Sequence, residues 1–235
     1  MILAILQVRM TSPRLPGKAL APLRGEPLVW RQLERLKLAR SLSKIMVATS
    51  AETVDDPLAS FLVARGQTVF RGAAENLTRR FLRCVEAAGP VTHVVRIKGD
   101  SPFVDPALID EAVRLARATG AAYASNRAPR SFPRGLEVEV ATVEALNRTA
   151  AEADEVTAAI ASPLAHLRQN PDRFTHAHFT APRDASHLDW RVKTPADLAF
   201  ARGVYDALHP ADPGFGYEDV LGVLQGRQDL ARWAA

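Results

Sequence analysis

The stretch 2–8, Ile-Leu-Ala-Ile-Leu-Gln-Val, constrains this chain more than any other, because six of its seven residues are apolar and no polar alternation leaves a wet face. Such a run is a strand buried on both sides, which belongs in a parallel sheet covered by helices. It breaks into the loop Met10-Thr11-Ser12-Pro13-Arg14-Leu15-Pro16-Gly17-Lys18. Arg9, Arg14 and Lys18 then sit around two prolines and a glycine, so the backbone is stiff where the charges are and positioning them costs less entropy. Ligands of open α/β sheets bind at the carboxyl ends of strands, where this loop lies, and its cations suit a polyphosphate. An ordinary solvated basic loop is the alternative. Two phosphate motifs are excluded: a Walker loop needs glycine and Ser or Thr where Ser12 and Ala19 stand, and Gly17 and Gly25 are too far apart for a dinucleotide fingerprint.

The pattern repeats along the chain. Pro27 opens an amphipathic helix expected to end near Ser41, and 45–48 forms a second buried strand stopping at Thr49-Ser50. Asp55-Asp56-Pro57 reads as an N-cap with proline at N1, for a helix stopping at Gly66. A third strand, 68–70, ends in Arg71-Gly72, and a helix follows over about 75–88 with Cys84 as a half-buried hydrophobe. The strand 93–98 runs into Gly99-Asp100-Ser101-Pro102, and Pro106 starts the next helix. Glycine permits close approach of backbone and ligand there, and Asp100 then projects into the crevice, placed to hold a magnesium ion that takes its other ligands from phosphate and water.

Further on, 122–126 predicts a strand, and 136–140 alternates Leu, Val, Val with Glu137 and Glu139 as a half-exposed strand would. Helices are expected over 143–150 and 155–168, and a strand over 174–179 carries His176 and His178 on one face, read as surface or dimer-contact residues. A last strand is expected over 188–192, a helix from Pro195, and short helices over 217–224 and 227–233. Alternating strands and helices predict an α/β fold, a three-layer αβα sandwich with a mostly parallel sheet and an antiparallel element near Glu137.

A length of 235 residues fits one large domain, 1–235, with an excursion at about 127–185. A net charge of +4 fits an anionic partner. Dispersed cations, with only three Tyr and three Trp available to stack on bases, weigh against nucleic acid. Cys84 alone can form neither an intramolecular disulfide nor a Cys-based zinc site, and with no signal peptide or membrane span expected, the reading is cytoplasmic.

The first loop resembles the signature of the cytidylyltransferases that activate sugars and sugar acids, in particular the spore-coat polysaccharide branch. The match runs through Arg9, Ser12, Arg14, Leu15, Pro16, Gly17 and Lys18 and departs at Thr11 and Pro13. Similar segments recur at Arg71-Gly72 with Arg80, at Gly99-Asp100, from Arg130 to Val140, and at Val192-Thr194-Pro195-Asp197-Leu198. The resemblance implies a nucleotide-diphospho-sugar transferase (Rossmann-like) fold, usually a homodimer, transferring CMP from CTP with Mg2+ to a small sugar, sugar-acid or phosphonate-type acceptor and releasing pyrophosphate. It implies Arg14, Lys18 and Asp100 as catalytic, Arg9, Ser12, Ser50, Arg71, Gly72 and Arg80 as nucleotide contacts, and Arg130, Arg134, Glu137 and Glu139 along the acceptor, with cross-strand salt bridges as the alternative for these last four. Departures fall at Asn76, Lys98, Asp154-Glu155-Val156-Thr157 and Lys193, where the family carries a second metal carboxylate. Lys193 is therefore expected to act as an active-site cation beside a single magnesium on Asp100, with Asp189 either pairing with it or lending a carboxylate. Rival readings are a glycosyltransferase of related fold and a non-catalytic nucleotide-binding homologue.

Overall fold

The computed structural model describes residues 1–74, 76–152 and 162–231. In chain order the elements are β1 (Ile2–Gln7), β2 (Pro22–Leu23), β3 (Glu26–Pro27), α1 (Leu28–Leu36), β4 (Lys44–Ser50), α2 (Asp56–Ala64), β5 (Val69–Gly72), α3 (Leu77–Ala88) and β6 (His93–Lys98). There follow α4 (Pro106–Thr119), β7 (Tyr123–Ser125), β8 (Glu139–Thr142), α5 (Val143–Glu152), α6 (Ala165–Gln169), β9 (His176–His178), α7 (Pro195–Leu208), α8 (Tyr217–Gly226) and α9 (Gln228–Ala231). Seven strands form one sheet in the order β5-β4-β1-β6-β8-β7-β9, and β8 alone runs against its neighbours.

β1 is central, and its side chains divide by the period of two. Leu3 and Ile5 pack with Phe81, Cys84 and Leu146 of α3 and α5, while Ala4 and Leu6 pack with Val29 and Leu33 of α1 and Ile109 and Val113 of α4. Both faces are thus dry, as the unbroken apolar run requires, and each fully buried leucine or isoleucine contributes roughly 1.5–3 kcal/mol. Burial also raises the Cys84 thiol to about 12, so it stays a protonated hydrophobe. A third cluster joins Phe103, Trp190, Phe200, Tyr205 and Tyr217, seating α7 and α8 beside the segment that follows β6.

Several expectations are corrected. α1 ends at Leu36, short of Ser41. The alternating segment is not half exposed: its strand begins only at Glu139, where the side chain is 2% exposed, because β8 is wedged between β6 and β7. Residues 188–192 form no strand: their one strand-like pairing is an isolated parallel bridge, Arg134 to Asp189, since Trp190 turns into the aromatic cluster. His176 and His178 lie on the edge strand with rings 5.5 Å apart, each against a backbone carbonyl, Leu167 O and Ser125 O. Residues 75, 153–161 and 232–235, with the Asp154–Thr157 stretch and the end of the helix expected over 227–233, lie outside the described residues; of the helix expected over 155–168, the described part is helical only from Ala165, where α6 begins.

Gly99 joins the two strands whose ends carry the chemistry. Its N–H donates to Gln7 O at 2.8 Å, and a Cβ there would stand 2.6 Å from Val8 Cβ and 2.9 Å from Gln7 O. Gly99→Ala is therefore expected to cost about 1–3 kcal/mol, because two strand ends must part. Urea unfolding checks this; an unchanged midpoint would show that the strand ends give way freely.

Candidate functional site

The loop after β1 is held from beneath by a carboxylate. Asp55, fully buried, accepts from Met10 N at 2.7 Å, Thr49 Oγ1 at 2.8 Å and Ser50 N at 3.0 Å, and also from the Ser50 hydroxyl. Burial raises this carboxyl, but the bonds from Met10, Ser50 and Thr49 outweigh it and leave it below its ordinary value. Asp55 stands at the N-cap position of α2 yet makes no side-chain cap bond. The Asp-Asp-Pro motif reads as a cap in sequence because the loop it serves lies 45 residues away. Gly17, at φ +73°, closes the loop by donating to Met10 O at 2.9 Å, a conformation that favours glycine.

Between this loop and the end of β6 lies a cleft of about 340 Å³. Arg9, Ser12, Arg14, Lys18, Asp100 and Lys193 line it, together with Gln7, Arg96 and Lys98. Lys18 Nζ donates to Val192 O at 2.6 Å, and Val192 N to Asp100 O at 2.8 Å, so the loop, the Gly99-Asp100 turn and the 192–193 segment are tied together. Burial lowers the Lys18 ammonium, opposed by Asp100 and reinforced by Arg14. Gln32, completely buried on α1, donates from Nε2 to Lys98 O at 2.8 Å and Ser101 O at 2.9 Å, clamping the turn that carries Asp100. Sequence reasoning missed Gln32 and Asp55; a polar residue among the apolar positions of α1 is the signal for the first.

Lys193 reaches the cleft from a well-fixed backbone. Its N–H donates to Asp197 Oδ2 at 2.8 Å beside the capping box that starts α7. Its Nζ pairs with Asp189 at 2.7 Å, and Arg191 pairs with the same carboxylate at 2.6 Å. Burial raises the Asp189 carboxyl, but the bonds from Arg191 and Lys193 hold it far below the usual carboxylate range. Asp189 is thus committed to two cations.

Other expected contacts are placed around this cleft and do not line it. Ser50 is fully buried, its hydroxyl given to Asp55. Arg71 bonds Ser50 O and Glu52 O and pairs with Asp56 at 2.6 Å. Arg80, 1% exposed and packed on Gly72, donates to Ala73 O and Ala74 O, and Arg9 Nη1 also reaches Ala74 O at 3.3 Å. Arg130 pairs with Glu137 at 2.8 Å, and Arg134 is exposed. Glu139 receives Arg96 at 2.5 Å, Arg168 at 2.8 Å and Arg127 at 3.1 Å, with Tyr123 Oη at 2.8 Å. Burial raises its carboxyl, yet Arg96, Arg127 and Arg168 bring it down to about 2. A carboxylate so enclosed supports β6 and β8 and cannot meet an acceptor hydroxyl.

The donors fit one hard cation. Asp100 is the only carboxylate lining the cleft among the described residues, its nearest hydrogen-bonding side chain being Ser101 Oγ at 3.5 Å. No three His, Cys, Asp or Glu side chains gather to hold a metal among those residues. One carboxylate with phosphate oxygens and water is how magnesium is usually held, whereas a tetrahedral zinc site needs more protein ligands.

The chain is similar to solved nucleotidyltransferases along nearly its whole length. A cytidylyltransferase from Leptospira borgpetersenii serovar Hardjo-bovis superposes with a TM-score of 0.90 at 24% identity, covering 97% of this chain and 95% of that one. A CMP:2-keto-3-deoxy-manno-octonic acid synthetase complexed with CTP gives 0.67 at 17% identity over 88% and 98%. The spore coat polysaccharide biosynthesis protein SpsF of Bacillus subtilis is 37% identical over 126 residues, 52% of each chain. A 3-deoxy-manno-octulosonate cytidylyltransferase of Geobacter metallireducens is 36% identical over 112 residues, 48% of this chain and 43% of that protein. The chain spans about half the length of these curated relatives. Among its described residues no helix is long and apolar enough to cross a membrane. The cation-rich loop at the carboxyl edge of β1 and the Gly99-Asp100 turn beside it both fall within residues 3–195, which match the cytidylyltransferase family model, and the chain belongs to that family.

Proposed function

We propose that this protein transfers CMP from CTP to a small acceptor and releases pyrophosphate. The observation that carries the reading is the placement of Arg14 and Lys18, on a loop braced by Asp55, in one cleft with Asp100. In this reading the two cations steady the β- and γ-phosphates and the departing pyrophosphate, charge that develops as the α-phosphate bond breaks. Arg9 and Ser12 hold the nucleotide from the same loop, and Arg80 shapes the 73–74 turn against which Arg9 rests. Asp100 holds magnesium, which when bound supplies Lewis acidity to the phosphates. Lys193 adds a fixed cation on the far wall. We infer a cytoplasmic protein, a reading supported by a lone, buried Cys84 that burial keeps protonated, and, from the family resemblance alone, a homodimer.

CTP with magnesium is expected to stabilise the protein more than CMP does. At about 100 times its dissociation constant a ligand adds roughly 2.7 kcal/mol, or about 5–10 °C in Tm for a chain of this size. A melting series in which CMP matches CTP would remove the triphosphate role of the loop. Binding of CTP without pyrophosphate release from any acceptor would instead favour the non-catalytic reading, which Lys193 motivates.

A further inference from the structure

One side chain lining the cleft is a donor with a fixed direction and no partner. Gln7 is the last residue of β1, and in the parallel pairing of β1 with β6 it stands opposite Lys98, so the two side chains leave the sheet on one face. Arg96, two residues before Lys98, shares that face and donates to Gln7 Oε1 from Nε at 3.4 Å and from Nη2 at 3.3 Å. Both contacts are long, yet they orient the amide, because a guanidinium offers donors only and would repel its nitrogen end. Nε2 therefore points away from Arg96. Among the described residues it donates to no protein atom, and it is not sealed off from solvent. Since Gln7 lines the cleft, its two amide hydrogens are left for a ligand.

The cations around it are less free. Arg96 is taken by Glu139 at 2.5 Å, Lys193 by Asp189 at 2.7 Å, and Lys18 reaches Val192 O. Lys98 forms no ion pair within 4.0 Å and no hydrogen bond through Nζ among the described residues. A flexible charge thus stands beside an amide whose direction is set.

Position decides which group of a nucleotide meets that amide. In the proposed function Arg14 and Lys18 hold the β- and γ-phosphates and Asp100 holds the metal. The chain runs from Gln7 through Val8 and Arg9 straight into the loop, and Gly99 N donates to Gln7 O at 2.8 Å, which sets the Asp100 turn against the same residue. A phosphate chain held at both places crosses the end of β1, and the α-phosphate is the member that neither loop cation takes. An amide suits that spot, because it donates to a phosphoryl oxygen without adding charge to a wall that already carries Arg96, Lys98 and Lys193.

We propose that Gln7 Nε2 donates to a non-bridging oxygen of the α-phosphate, which makes Gln7 a direct ligand of the phosphate that is transferred. The inference rests on the CMP-transfer reading and adds a contact to it.

CMP and cytidine differ by this one phosphate, so their affinities for the whole protein isolate it. Both are titrated by calorimetry in EDTA, which keeps any metal on Asp100 out of the comparison. Gln7→Met and Gln7→Glu are each expected to weaken CMP about tenfold or more, as loss of a hydrogen bond to a charged group does, and to leave cytidine unchanged. Gln7→Glu separates contact from support, since it keeps an oxygen for Arg96 and loses both amide hydrogens. CMP affinity lost in Gln7→Met but restored in Gln7→Glu would mean that Gln7 only steadies Arg96, and would overturn the proposal. An equal loss for cytidine, a CMP affinity that neither variant changes, or a parent that takes CMP no more tightly than cytidine would overturn it too. Failure of CTP with magnesium to bind the parent would remove the CMP-transfer reading itself, whereas a CMP affinity indifferent to Gln7 leaves that reading standing.

Discussion

Asp100→Asn is expected to lower pyrophosphate release by about a hundredfold or more while leaving the fold intact. The amide fills the same space at the cleft wall and loses only a long contact to Ser101 Oγ, so stability should stay within about 0.5 kcal/mol of the parent. What it removes is the one carboxylate that lines the cleft among the described residues, the metal anchor of the proposed function, and one lost electrostatic contact to developing charge typically costs about 100- to 1000-fold. Steady-state turnover across a magnesium series is the measurement. Near-normal turnover at low magnesium would place the metal anchor elsewhere, with Asp189 next in line once freed from Lys193 and Arg191.

Glu139→Ala should be the most destabilising single change in the sheet. It strands three arginines, of which Arg96 is only 6% exposed and lies opposite Glu139 in the β6–β8 register, and it orphans the Tyr123 hydroxyl. Removing one partner of a buried charge cluster costs about 3–5 kcal/mol, a large part of the roughly 5–15 kcal/mol that holds a domain together. Acid should expose the same bond in the parent. Glu139 titrates near 2 in the folded protein against an ordinary 4.5, so its contribution, roughly 3 kcal/mol, is complete above about pH 4.5 and lost as pH falls towards 2. Urea midpoints from pH 7 to 2.5 check this: Glu139→Gln should be weaker at neutral pH and lose less on acidification. Parallel pH profiles for the two proteins would show that other carboxylates govern acid unfolding.

Much of the cleft was legible in the residues because its parts are local. A strand buried on both faces declares itself by unbroken apolar residues, as at 2–6, and the Gly99-Asp100 turn by a glycine beside a carboxylate after such a run. Arg14 and Lys18 stood out because charge sat among prolines and glycine. The alternation around Glu137 and Glu139 misled, since it records only that every second residue is polar. Whether the polar face meets water or three arginines depends on which strands flank it.

Local residues were enough for most of the elements, the carboxyl-edge loop and the turn of Asp100, though not for the 188–192 segment or the start of β8, because apolar period, capping and turn chemistry act over a few residues. Tertiary structure decided what each remaining charge does. Asp55 became a brace for a loop 45 residues earlier, and Glu139 a buried counterion for an arginine 43 residues away. Asp189 and Lys193 became a pair only because the 188–193 segment lies against Arg134 and Asp100. A charge takes its role from the partners and the dielectric around it, and both are set by chain segments far away in sequence that folding brings together.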